Sequence, residues 1–342
     1  MSKARIGIVG MGWWACDVHI PNFLQVPEAE IAALCSRKPE NIERGREALK
    51  GGADPLPFAS YDKLLASDAV DAVVLCTPNY THGPMALQAL QAGKHVLVEK
   101  PMATVPAQCG PIVAEAQRRG LVCQVGVELR YCDVATTMRR LIDEGAIGEP
   151  AMVHTKVWRE WGAPGAWRGS VEESGGQFHE LAIHYIDLLG YLAGRPPVSV
   201  NASGGSRVGV RDVDYASATI CYEGGAVATF AMCLFAAGGG SDITVEAIGL
   251  KGRLVGELMG GKVELWPKGG EAEDRSPSRS DAEILGFPGS LESAGAFVEC
   301  VRTGKRPSAD AVQGEHLCRV CEAARLSANA GGKQVAIESF DV

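Results

Sequence analysis

The stretch that most constrains this chain is Val96-Leu97-Val98, three apolar residues with no polar residue between them, which stops in Glu99-Lys100-Pro101. A strand buried on one face alternates, whereas an unbroken apolar run is a strand covered on both faces, as in a parallel sheet. In open α/β sheets ligands bind at the carboxyl ends of the strands, so a lysine delivered there is a candidate for chemistry. Pro101 fixes its own φ and drives Lys100 towards extended backbone, which holds the lysine in place. The plain alternative is a solvated lysine at a strand end, the usual situation for this residue.

What precedes the lysine decides between these. Arg5 to Val9 is a short apolar run, followed by Gly10-Met11-Gly12-Trp13-Trp14-Ala15 and a helix-spaced stretch through His19 and Phe23. Strand, glycine-rich turn and helix start are the context of a dinucleotide fingerprint. Gly10 makes the tight turn, Gly12 lets pyrophosphate approach the backbone, and the helix start offers unpaired N–H groups to phosphate. Ala15 stands at the third fingerprint position.

A second strand, Ile31 to Cys35, ends in Ser36-Arg37-Lys38, where an NAD site usually carries an acid for the ribose 2′-hydroxyl. A hydroxyl followed by two cations suits a 2′-phosphate, which predicts NADP ahead of NAD, with NAD possible. Ordinary solvated loop cations are the alternative. A third run, Ala72 to Cys76, ends in Thr77-Pro78-Asn79, expected walls of the dinucleotide groove, and His82 is either part of that wall or a structural residue at a helix start. Helices from about Pro84 to Ala92 and Ala107 to Arg119, and a strand from Leu121 to Val125, complete the alternation. The pattern predicts a doubly wound Rossmann domain over residues 1–125.

From residue 126 the alternation stops, and a second α/β domain over 126–342 is expected. A helix at Thr136 to Glu144 and a strand at Met152 to Trp158 lead into a loop carrying Trp158, Trp161 and Trp167, half of the six tryptophans. Such rings make either a binding wall or packing between domains. In a helix from about Gly176 to Ala193, Glu180, His184, Asp187 and Tyr191 recur at helical spacing and form one polar stripe. The stripe is either a solvated face or a place where an imidazole is oriented beside a carboxylate. His179 and His184 are five apart and fall on different faces, so no zinc site of the H-E-x-x-H kind is expected.

Strands follow at Ser199 to Ala202, Tyr215 to Tyr222, Ala226 to Leu234, Ser241 to Gly249, Arg253 to Glu257 and Lys262 to Trp266. Gly224-Gly225 and Gly260-Gly261 turns between them suit an antiparallel sheet. Lys268 to Asp281 reads as a mobile loop, followed by helices at Leu291 to Arg302 and Gln313 to Ala328 and a last strand at Gln334 to Ile337.

At 342 residues two domains are the default. A net charge of -8 argues against nucleic-acid or anionic-membrane partners and leaves a small molecule as the expected ligand. Absence of a signal-peptide pattern after Met1 predicts a cytoplasmic protein. The 11 cysteines fall mostly inside apolar patterns and read as small core residues in a reducing compartment, the Cys318/Cys321 pair included.

Taken together, these residues resemble the Gfo/Idh/MocA family of oxidoreductases, which includes glucose-fructose oxidoreductase and inositol dehydrogenase. The resemblance rests on Gly10-Met11-Gly12 with Ala15, Thr77-Pro78-Asn79, Glu99-Lys100-Pro101, Arg130-Tyr131, Trp167-Arg168, Gly175-Gly176, and Glu180 with His184 and Asp187. Gly249-Leu250-Lys251-Gly252 and Thr303-Gly304-Lys305-Arg306-Pro307 extend it towards the C-terminus. Glu180 stands where many members have aspartate, and Ser36 where the usual acid follows the second strand.

The resemblance implies a Rossmann domain joined to a C-terminal domain on an open, mostly antiparallel sheet. It also implies a cis Lys100–Pro101 peptide, Lys100 and His184 as the lysine and histidine of the active site, and a homodimer or homotetramer. The expected activity is hydride transfer between nicotinamide and a secondary alcohol or ketone of a sugar or cyclitol, with Lys100, His184 and Glu180 as the catalytic set. Expected cofactor contacts are Gly10, Gly12, Trp13, Trp14, Ser36, Arg37, Lys38, Thr77, Pro78, Asn79, His82, Glu99 and Lys100, with Trp167 and Arg168. Lys100, Arg130, Tyr131, Trp167, Glu180 and His184 are expected around the substrate. A redox-neutral glycosidase or lyase with tightly held NAD(P), and a nucleotide-sensing protein without turnover, are the rival expectations.

Overall fold

Each unalternating apolar run forms a strand buried on both faces. In a computed structural model that describes residues 2–52, 54–161, 165–209, 212–238, 243–278 and 287–337, the first sheet comprises β1 (Ala4–Val9), β2 (Ala29–Cys35), β3 (Leu56–Phe58), β4 (Ala72–Leu75), β5 (His95–Glu99) and β6 (Cys123–Gly126). They lie in the order β3-β2-β1-β4-β5-β6, with every pairing parallel. β4 is buried throughout, as is β5 from Val96 to Glu99. Strand order reverses between β1 and β4, and the crevice beyond the carboxyl ends at such a reversal is where this kind of sheet takes its ligand. β3 is an edge strand, and Pro57 is tolerated there because an edge leaves one side of the ladder open.

The division of the chain differs from a single cut at 125/126. The first compact unit is Met1–Gly126 together with Ser290–Glu315, and the second is Val127–Gly289 together with His316–Val342. Ser290–Glu315 belongs to the first because its helix, Ser290–Thr303, buries Ala294, Phe297 and Val298 in one core with Ile6, Ile20 and Phe23. Polar contacts fix it as well: Gln124 Nε2 donates to the Ser293 carbonyl at 3.0 Å, and the Val125 N–H to the Ala309 carbonyl at 2.8 Å.

The second unit is built on β7 (Pro150–Trp158), β8 (Pro197–Gly205), β9 (Tyr215–Tyr222), β10 (Val227–Cys233), β11 (Thr244–Gly249), β12 (Gly252–Glu257), β13 (Lys262–Pro267), β14 (Glu273–Asp274) and β15 (Val335–Ala336). The order is β14-β13-β12-β11-β7-β10-β9-β8-β15. β7 and β10 run parallel and the other pairings are antiparallel. Gly224 and Gly225, at φ 77° and 87°, make the β9–β10 turn that a side chain would strain. β7 buries Val153, Thr155 and Val157 on one face, which the helix Ile183–Ala193 covers.

β14 pairs with β13 inside the stretch expected to be a loop. Residues 279–281 of that stretch, and 241–242 at the expected start of β11, lie outside the described residues. Cys318 and Cys321 are buried in the helix Ala311–Asn329. No described helix is long and apolar enough to cross a membrane.

Candidate functional site

In the first unit, the ends of β1, β4 and β5 gather the fingerprint turn and the lysine. Gly10 has φ 88°, and a Cβ there would sit 2.7 Å from the Cys76 carbonyl oxygen, so the turn demands glycine. At Gly12 an added Cβ would meet nothing within 4 Å, which leaves its backbone open to a ligand. A dinucleotide fits these surroundings: the β1 turn is tight, its next glycine is exposed to open space, and a helical run begins directly beyond. That run opens with a π-helical turn, Ala15–His19, and continues as Ile20–Gln25.

The turn is tied to the lysine through Glu99. Trp14 Nε1 and His19 Nε2 both donate to Glu99 Oε1, at 2.8 and 2.7 Å, and the Lys100 backbone N–H reaches Oε2 at 3.3 Å. Burial alone would raise the Glu99 carboxyl, but His19, Lys100 and Trp14 hold it below the ordinary range. Burial likewise opposes charge on His19, yet Cys76 and Glu99 together hold its pKa up to about 10. Glu99 therefore spends its carboxylate inside the protein. The Lys100–Pro101 peptide is cis, and His82, 1% exposed, lies between the Pro101 and Thr77 carbonyls at 2.8 and 2.7 Å.

The second unit holds its polar groups along the Phe178–Ala182 π-helical turn and the helix Ile183–Ala193. Arg130 grips Asp187 through both carboxylate oxygens in a pair that is 5% and 0% exposed, and its guanidinium lies 5.2 Å from the Tyr191 ring centre. Nδ1 of His184 is 3.2 Å from Glu128 Oε2. Arg168 Nε donates to Glu180 at 2.9 Å while its guanidinium lies 4.9 Å from the Trp167 ring centre. Arg159 donates to the Tyr185 hydroxyl at 3.1 Å, and burial pushes that hydroxyl up to about 12, so it stays protonated.

Residues 4–127 match an oxidoreductase family with an NAD-binding Rossmann fold, and residues 135–255 match the Gfo/Idh/MocA C-terminal domain. The chain belongs to the Gfo/Idh/MocA oxidoreductase family. It is 29% identical over 317 residues to the scyllo-inositol 2-dehydrogenase (NAD(+)) of Bacillus subtilis (strain 168), covering 89% of this chain and 88% of that one. It is 31% identical over 202 residues to the 2,7-anhydro-N-acetylneuraminate hydratase of Escherichia coli (strain K12), covering 58% of this chain and about half, 52%, of the hydratase. The aldose-aldose oxidoreductase from Caulobacter crescentus complexed with glycerol has a similar structure, with TM-score 0.84 and 25% identity over 98% of this chain and 99% of that one.

Within this Gfo/Idh/MocA chain, several expected contacts take other duties. Glu99 and His82, expected against the cofactor, are both buried and hydrogen-bonded to protein groups. Arg130 was expected at the substrate, but Asp187 occupies its guanidinium. The stripe of Glu180, His184, Asp187 and Tyr191 is not a solvated face, since Asp187 is buried. Gly12, Trp13, Arg37 and Lys38 remain open to solvent or space, and Trp13 is 52% exposed. Ser36 receives the Lys38 N–H at 3.4 Å, while Thr77 Oγ1 lies 2.6 Å from Thr81 Oγ1. Pro78 immediately precedes the helix Asn79–Gln91, whose first residue, Asn79, is buried. Tyr131 closes the short 3-10 turn Glu128–Tyr131.

His19 and Glu128 were not singled out from the sequence. Glu128 carries the same signal as Lys100, a charged residue just beyond the end of a buried strand.

The His19 proton gives a measurable slope. Its folded pKa of about 10 lies above the ordinary histidine value of 6.5, so its contribution is complete below 6.5 and is lost as pH rises towards 10. Urea unfolding between pH 7 and pH 10 should show wild-type stability falling by up to about 1.4 kcal/mol per pH unit from this group. His19→Gln should remove that part of the slope; parallel curves for the two proteins would contradict the assignment.

Proposed function

We propose that this oxidoreductase moves hydride between nicotinamide and a secondary alcohol or ketone carbon of a sugar, cyclitol or sugar derivative. The observation that carries it is the junction of Lys100 with the fingerprint turn, made through Glu99 at the carboxyl end of β5. Similarity to an inositol dehydrogenase and to an aldose-aldose oxidoreductase supports a polyhydroxylated substrate.

Oxidising a secondary alcohol breaks a C–H bond, whose electron pair leaves with the hydrogen, and an O–H bond, whose proton must go to a base; the carbon is left as a carbonyl. Bound nicotinamide supplies the hydride acceptor, or the donor in reverse. Lys100 and His184 take and return the proton, a task worth roughly 10²- to 10⁴-fold in rate. Glu180, steadied by Arg168, accepts hydrogen bonds from substrate hydroxyls, with Tyr131 and Trp167 as further contacts. Gly10, Gly12, Trp13, Trp14, Thr77, Pro78 and Asn79 hold the dinucleotide. Ser36 with the exposed Arg37 and Lys38 favours its 2′-phosphate form, hence NADP over NAD. Met152 and Ile248, opposite each other on β7 and β11 and both exposed, favour a homodimer or homotetramer through that sheet face, and a monomer by light scattering would count against it.

The likeness to a hydratase favours a second reading, a redox-neutral lyase or glycosidase. Turnover of purified protein without added NAD(P) would select it.

On a substrate found from a sugar and cyclitol panel, Lys100→Met and His184→Ala should each lower kcat by about 10²- to 10⁴-fold, and wild-type kcat in both would contradict their roles. The same assays should give a higher kcat/KM with NADP⁺ than with NAD⁺; the reverse order would contradict the cofactor preference.

A further inference from the structure

Two rungs join the short turn Glu128–Tyr131 to the helix Ile183–Ala193. One is the Arg130–Asp187 pair, bidentate and almost wholly buried. The other, two residues earlier on the turn and three earlier on the helix, sets Glu128 Oε2 3.2 Å from His184 Nδ1, with the two side chains 13% and 14% exposed. The first rung fixes the spacing of turn and helix, and so fixes where the Glu128 carboxylate stands. Gly289 tightens the turn further: a Cβ there would fall 2.8 Å from the Cys132 N–H nitrogen.

Nδ1 of His184 is shut off from solvent and makes no hydrogen bond of good geometry, so the carboxylate oxygen is the acceptor within reach of it. A carboxylate accepts and cannot donate, which favours the ring form carrying its proton on Nδ1 and leaves the Nε2 lone pair for a ligand. Among the described groups, Asp187, which interacts with His184 electrostatically, is committed to Arg130, and the ionisable neighbours along the same helical run, Tyr185 and Glu180, are held by Arg159 and Arg168.

We infer that Glu128 is a positioning residue that fixes the tautomer and orientation of His184, so that Nε2 is the atom which accepts the substrate proton. The inference rests on the role proposed above for His184. Glu128 works through His184, as the carboxylate behind a catalytic imidazole does in other acid–base sites.

The test pairs kinetics with a readout that needs no substrate. Nitrogen NMR of histidine-labelled protein at a pH where His184 is neutral should show Nδ1–H in the wild type and a mixture of tautomers in Glu128→Gln. In turnover, Glu128→Gln should lose about ten- to a hundredfold in kcat with little change in KM or melting temperature, and Glu128→Asp should recover part of it. A wild-type ring in the Nε2–H form, or an unaltered tautomer and kcat in Glu128→Gln, overturns the inference. Where Glu128→Gln fails to fold, Glu128→Asp carries both readouts, and wild-type behaviour in it likewise overturns the inference. Wild-type protein inert on every alcohol tried would instead sink the proposed activity, leaving the tautomer measurement to judge Glu128.

Discussion

One buried carboxylate sets the geometry of the first unit. Glu99 accepts from Trp14 and His19, which come from the turn after β1, and from the backbone of Lys100, which comes from the end of β5. Removing a carboxylate from water is costly, and the cost is offset only when its oxygens are satisfied and an opposite charge stands close. Both conditions hold here, since His19 is 2.7 Å away and held protonated. Gly126 makes the room, because a Cβ on it would come within 2.6 Å of Glu99 Oε1. A pair of this kind is weak evidence of net stability. Its consequence is specificity: leaving either partner buried alone would cost about 3–5 kcal/mol, so the turn and the lysine are held in one arrangement.

The second unit follows the same rule with different residues. Arg130 and Asp187 neutralise each other inside, and the polar residues beside them, Glu128 with His184 and Arg168 with Glu180, keep partial access to solvent. The π-helical turn Phe178–Ala182 precedes this helix, as another, Ala15–His19, follows the fingerprint glycines. Such turns are uncommon and tend to occur where a helix must present a side chain that regular spacing would turn elsewhere.

Much of this was legible because it depends on local pattern. Unalternating apolar runs, the Gly10 turn, the polar residues closing β4 and β5, and the Gly224-Gly225 hairpin each announce themselves within a few residues. What was hidden depends on neighbours distant in sequence. Glu99 and Lys100 look equivalent at a strand end, yet successive side chains on a strand point to opposite faces, and only the packing of His19 and Trp14 reveals which of the two is turned inward. Arg130 reads as a substrate contact until Asp187, 57 residues on, is found against it. The helix Ser290–Thr303 carries nothing in its own pattern to say that its Phe297 packs with Ile20 and Phe23. Regular helical spacing joined Glu180 to His184, and the π turn between them could not be read from apolar periodicity.

Glu99, buried against Trp14 and His19, holds the fingerprint turn and Lys100 together. Calorimetric titration of NADP⁺ and NAD⁺ into Glu99→Gln, which keeps the shape and removes the charge, tests it most directly. A loss of about tenfold or more in dinucleotide affinity, equivalent to about 1.4 kcal/mol, with Lys100 and Gly10 unchanged in sequence, is the predicted result. Wild-type affinity in a folded Glu99→Gln protein would contradict it.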